Sequence, residues 1–211
     1  MPAEAQQVKN VAYSTKHIPI TGTEEIISYE LYSYLPVTSS TTDLTFFGYA
    51  IGQVVPGSST RATKKWTNLT QPNTLPAPYR FTVKEISCDV LPNVSTVANG
   101  NWASDYLKLI LDGYFEFEIG AKTYWDGRLS KLVPKYRPMG VASVSTTASS
   151  TTIQRELIGL SGESYKIKPD GMTLIPGLSF SVRVKWDSAP SISTDAVLGI
   201  ILWGYLVRPA Q

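Results

Sequence analysis

Residues 196–207 constrain the fold more than any other stretch, because they are apolar on both faces of an extended chain. Read with a period of two, Leu198, Ile200, Leu202 and Leu206 share one parity, and Val197, Ile201, Trp203 and Tyr205 share the other. A strand without a wet face needs a core on one side and a second cover on the other. The chain is therefore expected to be layered β-structure with its last strand integral to a sheet. The second cover is either another layer of the fold or a neighbouring subunit.

The composition agrees with strands joined by many turns. Ser and Thr fill 43 of 211 positions, with 15 Gly and 14 Pro beside them. Charged residues are only 17%, where about 25% is usual. Low charge with 43% apolar residues favours a packed core over disorder.

A first strand is expected over 25–35, with Ile27, Tyr29, Leu31 and Leu35 on one face and Ser33 as the one polar break. A second, apolar on both faces, is expected over 43–55. Residues 56–78 carry four prolines and read as a long connection able to reach a neighbour. A third strand is expected over 79–91. Over 106–119, Leu107, Leu109, Leu111, Phe115, Phe117 and Ile119 share one parity. That pattern favours one long strand bulged at Gly113 over a hairpin turn at Asp112-Gly113. Residues 119–134 read as strand, turn and a short helical turn; 140–152 as a Ser/Thr loop; 153–158 as a short strand. Residues 178–186 alternate, with Leu178, Phe180, Val182, Val184 and Trp186 inward. No amphipathic helix longer than two turns is evident. The predicted fold is all-β: a single eight-stranded jelly-roll antiparallel sandwich over 23–211, with an N-terminal arm over 1–22 and long loops.

The inventory removes much chemistry. There is one histidine, His17, and one cysteine, Cys88, so an internal disulfide cannot form and Cys/His zinc sites lack ligands. A nucleophile–His arrangement has only His17 to use. No P-loop and no G-x-G-x-x-G is present. The start, Met-Pro-Ala-Glu-Ala, lacks a basic-then-apolar signal pattern, so no cleaved export signal is expected. No run approaches 18 apolar residues, so no membrane-crossing helix is expected.

Four function classes remain. For an enzyme, the best constellation is Asp112, Glu116 and Glu118 on one strand face with Asp126 nearby; acidic residues on a wet face account for it more simply. For sugar binding, Trp102, Tyr124 and Trp125 lie in or beside turns and could form a platform. For nucleic acid, Arg61, Lys64 and Lys65 adjoin Trp66, and Lys131, Lys135 and Arg137 flank Tyr136, but the net charge is only +2. The arm carries only Glu4, Lys9, Lys16 and His17 as ionisable side chains besides Tyr13. Asn68-Leu-Thr70 and Asn93-Val-Ser95 match the glycosylation pattern and read as chance matches. Structural assembly is favoured, on strands with two apolar faces and long uncharged loops. No catalytic, cofactor-binding or metal-ligating residue is assigned.

The segment 117–134, Phe-Glu-Ile-Gly-Ala-Lys-Thr-Tyr-Trp-Asp-Gly-Arg-Leu-Ser-Lys-Leu-Val-Pro, resembles jelly-roll capsid proteins of small tailless icosahedral bacteriophages. It is similar to the type found in lipid-containing Flavobacterium phages and related uncultured viruses. The matching positions are Gly120, Lys122, Tyr124, Leu129, Leu132 and Pro134, with Val133 inserted before the proline. Ile175-Pro176, Lys185-Trp186-Asp187 and the closing run from Leu202 to Arg208 are also similar. The likeness covers roughly the C-terminal half. Many relatives have a Gly-rich turn after the proline, where this chain has Lys-Tyr-Arg-Pro-Met-Gly, and several are longer double jelly rolls. A main and a minor shell subunit both remain open. The resemblance implies a structural subunit of a viral capsid, acting by self-association. Its partners would be copies of itself and other capsid proteins, with weak genome or inner-membrane contact and no small-molecule substrate. It would reside in the virion after assembly in the host cytoplasm, with no enzymatic activity and no cofactor. The alternative is a carbohydrate-binding jelly-roll module, a lectin or a receptor-binding virion protein.

Overall fold

The computed structural model describes residues 23–92, 102–132, 141–147, 150–156, 164–167, 171–193 and 195–210. The expected arm at 1–22, His17, the Asn93 pattern and the Lys135–Arg137 cluster lie outside them. In chain order the strands are β1 (Glu24–Val37), β2 (Asp43–Phe46), β3 (Arg80–Pro92), β4 (Tyr114–Ile119), β5 (Lys122–Arg128), β6 (Val141–Thr147), β7 (Ser150–Glu156), β8 (Tyr165–Lys166), β9 (Met172–Leu174), β10 (Phe180–Lys185) and β11 (Ala196–Pro209); helix α1 (Trp102–Asp112) lies between β3 and β4. The chain is mostly β-sheet, 51% strand, as the all-β expectation requires.

Two antiparallel sheets carry the fold. The first runs β1–β11–β3, and β8 and β9 both pair with the far edge of β3. The second runs β2–β10–β4–β5. Phe46, Phe115, Phe117, Phe180, Val182 and Val184 from the second sheet are fully or almost fully buried. So are Leu31, Leu35, Phe81, Val83, Ile86, Leu198, Ile200 and Leu202 from the first, and both sets belong to one core cluster. The arrangement is an all-β sandwich.

A bulge explains why the far edge of the first sheet is split. Trp203 pairs with Glu85 and Gly204 with Val83, which leaves Lys84 as an extra residue in β3. Inward residues therefore change parity from Phe81 and Val83 to Ile86, Cys88 and Val90. β8 pairs on one side of the bulge and β9 on the other, so they read as one edge strand interrupted there. A Cβ on Gly204 would stand 1.9 Å from the Thr82 carbonyl oxygen, so only glycine fits the close approach.

Three expectations change. Residues 106–119 are not one strand: α1 ends at Asp112, and β4 begins at Tyr114. Tyr106, Leu109 and Ile110 are buried while Leu111 is 52% exposed, so the apolar stripe has helical spacing. The leucines at 107, 109 and 111 fit a period of two by coincidence. Gly113 sits against the Leu109 carbonyl and Leu129, where a Cβ would be 2.9 Å from each, and this tight corner joins helix to strand. The second expected strand stops at Phe46, because Phe47 takes a left-handed φ of 67° and turns the chain back. Within the Ser/Thr stretch expected as a loop over 140–152, residues 141–147 and 150–152 belong to strands, since β6 and β7 pair as a separate antiparallel sheet. Its β-branched content suits strands. Eleven strands are thus present among the described residues rather than eight.

The long connection also behaves differently. It does not reach outward but lies along β1, the edge of the first sheet. The Tyr34 amide donates to the Trp66 carbonyl at 2.8 Å, and Ser33 bridges Thr67. The Tyr32 amide donates to Asn68 Oδ1 at 3.1 Å, and Asn68 Nδ2 donates to the Glu30 carbonyl at 2.6 Å. One carboxamide thus stands in for a strand partner and covers an otherwise open edge. Ser33, the polar break in an apolar row, is fully buried and accepts the Phe47 amide at 3.0 Å.

Three stability outcomes are expected. Ile200→Ala removes a fully buried side chain and is expected to cost about 2–5 kcal/mol in urea unfolding. Ile201→Ala, on the half-buried outer parity, is expected to cost less than half as much. Asn68→Ala strips two edge hydrogen bonds and is expected to cost on the order of 1–3 kcal/mol. Equal losses at Ile200 and Ile201 would show that β11 does not divide the layers as described.

Candidate functional site

The sequence-singled carboxylates do not gather into a catalytic pair. Glu116 and Glu118 lie on the outer face of β4, beside β10, with Arg183 opposite Glu116 and Ser181 opposite Glu118. Lys185 Nζ lies 2.7 Å from Glu116 Oε2, and Arg183 pairs with Asp43 on β2 at 3.5 Å. Ser181 Oγ donates weakly to Glu118 at 3.4 Å. Asp126 on β5 accepts the Tyr114 hydroxyl at 2.7 Å, and this bond raises the Tyr114 pKa. Asp112 is the last residue of α1 and exposed, so it is not on the strand face at all. The outer face of the second sheet is a ladder of cross-strand charge pairs, a wet surface with short-range neutralisation.

The outer face of the first sheet is built from other material. β11 contributes Val197, Ile201, Trp203 and Tyr205, all half-buried. β1 places Tyr32 opposite Ile201 and Tyr34 opposite Gly199. Gly199 is needed there, because the Tyr34 ring lies where a Cβ would be. The Tyr32 and Tyr34 rings meet edge to face at 5.9 Å. Leu91 on β3 continues the face at 40% exposure. Burial, then the neighbouring Asp89 carboxylate, push the Tyr34 hydroxyl well above its ordinary range. The Trp203 indole donates to Ser87 Oγ at 3.0 Å. This face is aromatic and apolar, with Glu30, Glu85 and Asp89 interspersed.

The aromatic residues of the sugar-platform expectation divide. Tyr124 and Trp125 lie together on β5, while Trp102 opens α1. Trp125 meets Phe115 at 4.7 Å and Tyr165 of β8 at 4.1 Å between ring centroids. Tyr124, Trp125 and Tyr165 line a cleft of about 730 Å³ with Lys131 and Lys166. Tyr165 was not singled out in the sequence; it becomes visible only when β8 is placed across from β5.

The basic cluster Arg61, Lys64 and Lys65 is exposed, but its aromatic neighbour is not a platform. Trp66 packs against the core. Arg61 donates to the Gly52 carbonyl at 2.9 Å. Cys88 is fully buried and its thiol donates to the Leu132 carbonyl at 2.7 Å, a structural use. Sequence reasoning also missed Asp105. It is fully buried in the first turn of α1 and accepts both the Ser193 amide (2.8 Å) and hydroxyl (2.6 Å). It pins the helix to the β10–β11 loop. A second cleft of about 640 Å³ lies near the other end of α1, lined among others by Lys108, Asp112, Arg128 and Asp187. Among the described residues, no group of three or more His, Cys, Asp or Glu side chains could hold a metal ion, and no helix is long and apolar enough to cross a membrane.

By architecture, then, the chain is an all-β sandwich with one charged outer face, one aromatic outer face and an aromatic cleft at its side. Comparison with known protein families, curated proteins and solved structures finds no match to this chain.

Two variants separate surface pairing from built-in structure. The double change Glu116→Gln, Glu118→Gln is expected to shift unfolding stability by under about 1 kcal/mol, since exposed pairs contribute little. Asp105→Ala is expected to cost on the order of 2–3 kcal/mol, because it leaves the Ser193 amide without its acceptor. Chemical denaturation of both variants, compared with the parent chain, reads the difference.

Proposed function

We propose that the chain is a single jelly roll and serves as a structural subunit of a viral icosahedral shell, acting by self-association. The fold reading rests on nested pairing. If β8 and β9 count as one interrupted strand, the ribbon pairs first with last: β1 with β11, β2 with β10, β3 with β8/β9, and β4 with β5. A long antiparallel ribbon wound over itself gives this order, and it is the order of a jelly roll. The pair β6–β7 and helix α1 are then insertions.

The observation that carries the functional reading is the contrast between the two outer faces. An antiparallel sheet with one solvated face alternates apolar in and polar out. The second sheet does so, with Glu116, Glu118, Arg183 and Lys185 outward. The first sheet instead turns Tyr32, Tyr34, Ile201, Trp203 and Tyr205 outward. A face of that composition fits an interface core, where aromatic side chains are enriched. The occupant this reading commits to is a second copy of the chain or another shell protein. In this reading the protein does no chemistry and takes no cofactor, and its place is the virion.

The segments that resemble phage capsid proteins have structural positions. Gly120 makes the β4–β5 turn with φ of 62°, and Leu129 and Leu132, just after β5, are fully buried. Trp186 is buried and its indole donates to the Leu109 carbonyl at 3.0 Å. Such roles suit a fold signature rather than a reactive site. The alternative, a carbohydrate-binding module, rests on Tyr124 and Trp125. Among its described lining residues their cleft offers no carboxylate or carboxamide to hold sugar hydroxyls, so the shell reading is preferred.

Light scattering and electron microscopy of the purified chain are expected to find uniform closed particles. The double variant Ile201→Thr, Trp203→Ser is expected to keep its β-sheet circular dichroism and to lose assembly. A parent chain that stays monomeric and binds neutral glycans would favour the carbohydrate module. A double variant that assembles fully would remove the aromatic face as the contact surface.

A further inference from the structure

The open side of the sandwich holds a second surface, independent of the aromatic face. There β5, the edge of the second sheet, stands across from β8, an edge of the first. The cleft between them, about 730 Å³, falls in the size range of small-ligand sites, roughly 300–1,000 Å³. Two aromatic rings are unusually open for their size: Tyr124 is 50% exposed and Tyr165 is 39% exposed. Trp125, wedged between Phe115 and Tyr165, holds the Tyr165 ring in place from behind.

The two charged side chains among the described lining residues are both lysines. Lys131 and Lys166 line the cleft, and Lys122 Nζ sits 5.1 Å from the centre of the Tyr124 ring. Among the described lining residues there is no acidic or amide side chain, and their one hydroxyl outside the tyrosines, Ser164, is bonded to Glu85. Flat rings beside cations, with no hydrogen-bond reader for an edge, match a stacked base with its phosphate. They do not match a neutral sugar, whose hydroxyls call for acceptors. A duplex hides its base faces, so the matching ligand is single-stranded.

We propose that the Tyr124–Tyr165 cleft binds a nucleotide unit of single-stranded nucleic acid, with the base on a tyrosine face and the phosphate at Lys131. The described lining residues include no carboxylate or carboxamide to read a base edge, so either oligonucleotide is expected to bind. DNA and RNA share this chemistry, and separate oligonucleotide probes distinguish them. The site does not depend on particle formation, so its failure leaves the shell reading untouched.

The test is fluorescence anisotropy of labelled oligothymidine and oligouridine with the full chain at low salt. Binding of either probe that weakens with salt is expected. Tyr124→Ala is expected to lower affinity about 5- to 10-fold, and Tyr124→Phe to retain it, since stacking needs the ring and not the hydroxyl. Lys131→Gln is expected to reduce the slope of log affinity against log salt by about 0.7. The triple change Arg61→Gln, Lys64→Gln, Lys65→Gln is expected to leave binding in place. Circular dichroism establishes that each variant is folded; Tyr124 and Lys131 are exposed, so both are expected to pass. No binding of either probe would overturn the proposal. So would equal affinity in folded Tyr124→Ala, loss of binding only in the triple variant, or selective binding of a neutral glycan.

Discussion

Strand β11 is hydrogen-bonded along both edges, to β1 and to β3, and the first sheet cannot close without it. Its partner β1 lies at the other end of the chain: Glu24 pairs with Pro209, and Val37 with Ala196. Such pairing is among the most non-local a chain of this length can make, and it ties folding to the arrival of the last residues. It also explains why β11 has no polar parity. One side faces the phenylalanine-rich second sheet, and the other forms one outer face with Tyr32 and Tyr34, the Tyr34 ring lying against Gly199.

Placing β11 in the middle leaves β1 as an edge, and an uncovered strand of 14 residues invites pairing with another chain. The connection over 47–79 removes that hazard by lying against it, with Asn68, Trp66 and Thr67 as the contacts. The other edges are managed by brevity or charge. β2 has four residues, β8 two and β9 three, and β5 carries Lys122, Asp126 and Arg128. Guarding of this kind leaves the faces of the sheets, rather than their edges, open to contact.

Much of the layering was legible in the sequence because a period of two survives wherever a strand has one buried face. β10 reads directly as Phe180, Val182 and Val184 inward with Arg183 and Lys185 outward. Both parities of β11 were also legible, since the bulge opposite Trp203 and Gly204 adds its extra residue to β3 and leaves β11 in phase. What failed did so for local reasons. In α1, Leu107, Leu109 and Leu111 imitate a strand, while the stripe that matters, Tyr106, Leu109 and Ile110, has helical spacing. At Phe47 a bulky residue takes a left-handed conformation that propensity disfavours, held by its amide bond to Ser33 and by burial of its ring. The cleft was half legible. Tyr124 and Trp125 stood out as a pair, but Tyr165 joins them only through the pairing of a two-residue strand, which leaves no periodic signal.

The geometry also decides whether the two proposed surfaces compete. The aromatic face is centred on β1 and β11, and the cleft lies between β5 and β8, beyond β3 in the strand order. Tyr32, Tyr34, Ile201 and Trp203 therefore share no lining residue with the cleft of Tyr124, Lys131 and Tyr165. A partner on the aromatic face would bury the apolar parity of β11 without closing the side of the sandwich. An occupied cleft would add charge neutralisation at Lys131 without disturbing the face. Self-association driven by apolar burial responds weakly to salt, whereas phosphate binding weakens steeply with it. The two surfaces are thus separable in space and in the force that each one uses, so one chain can hold both contacts at once.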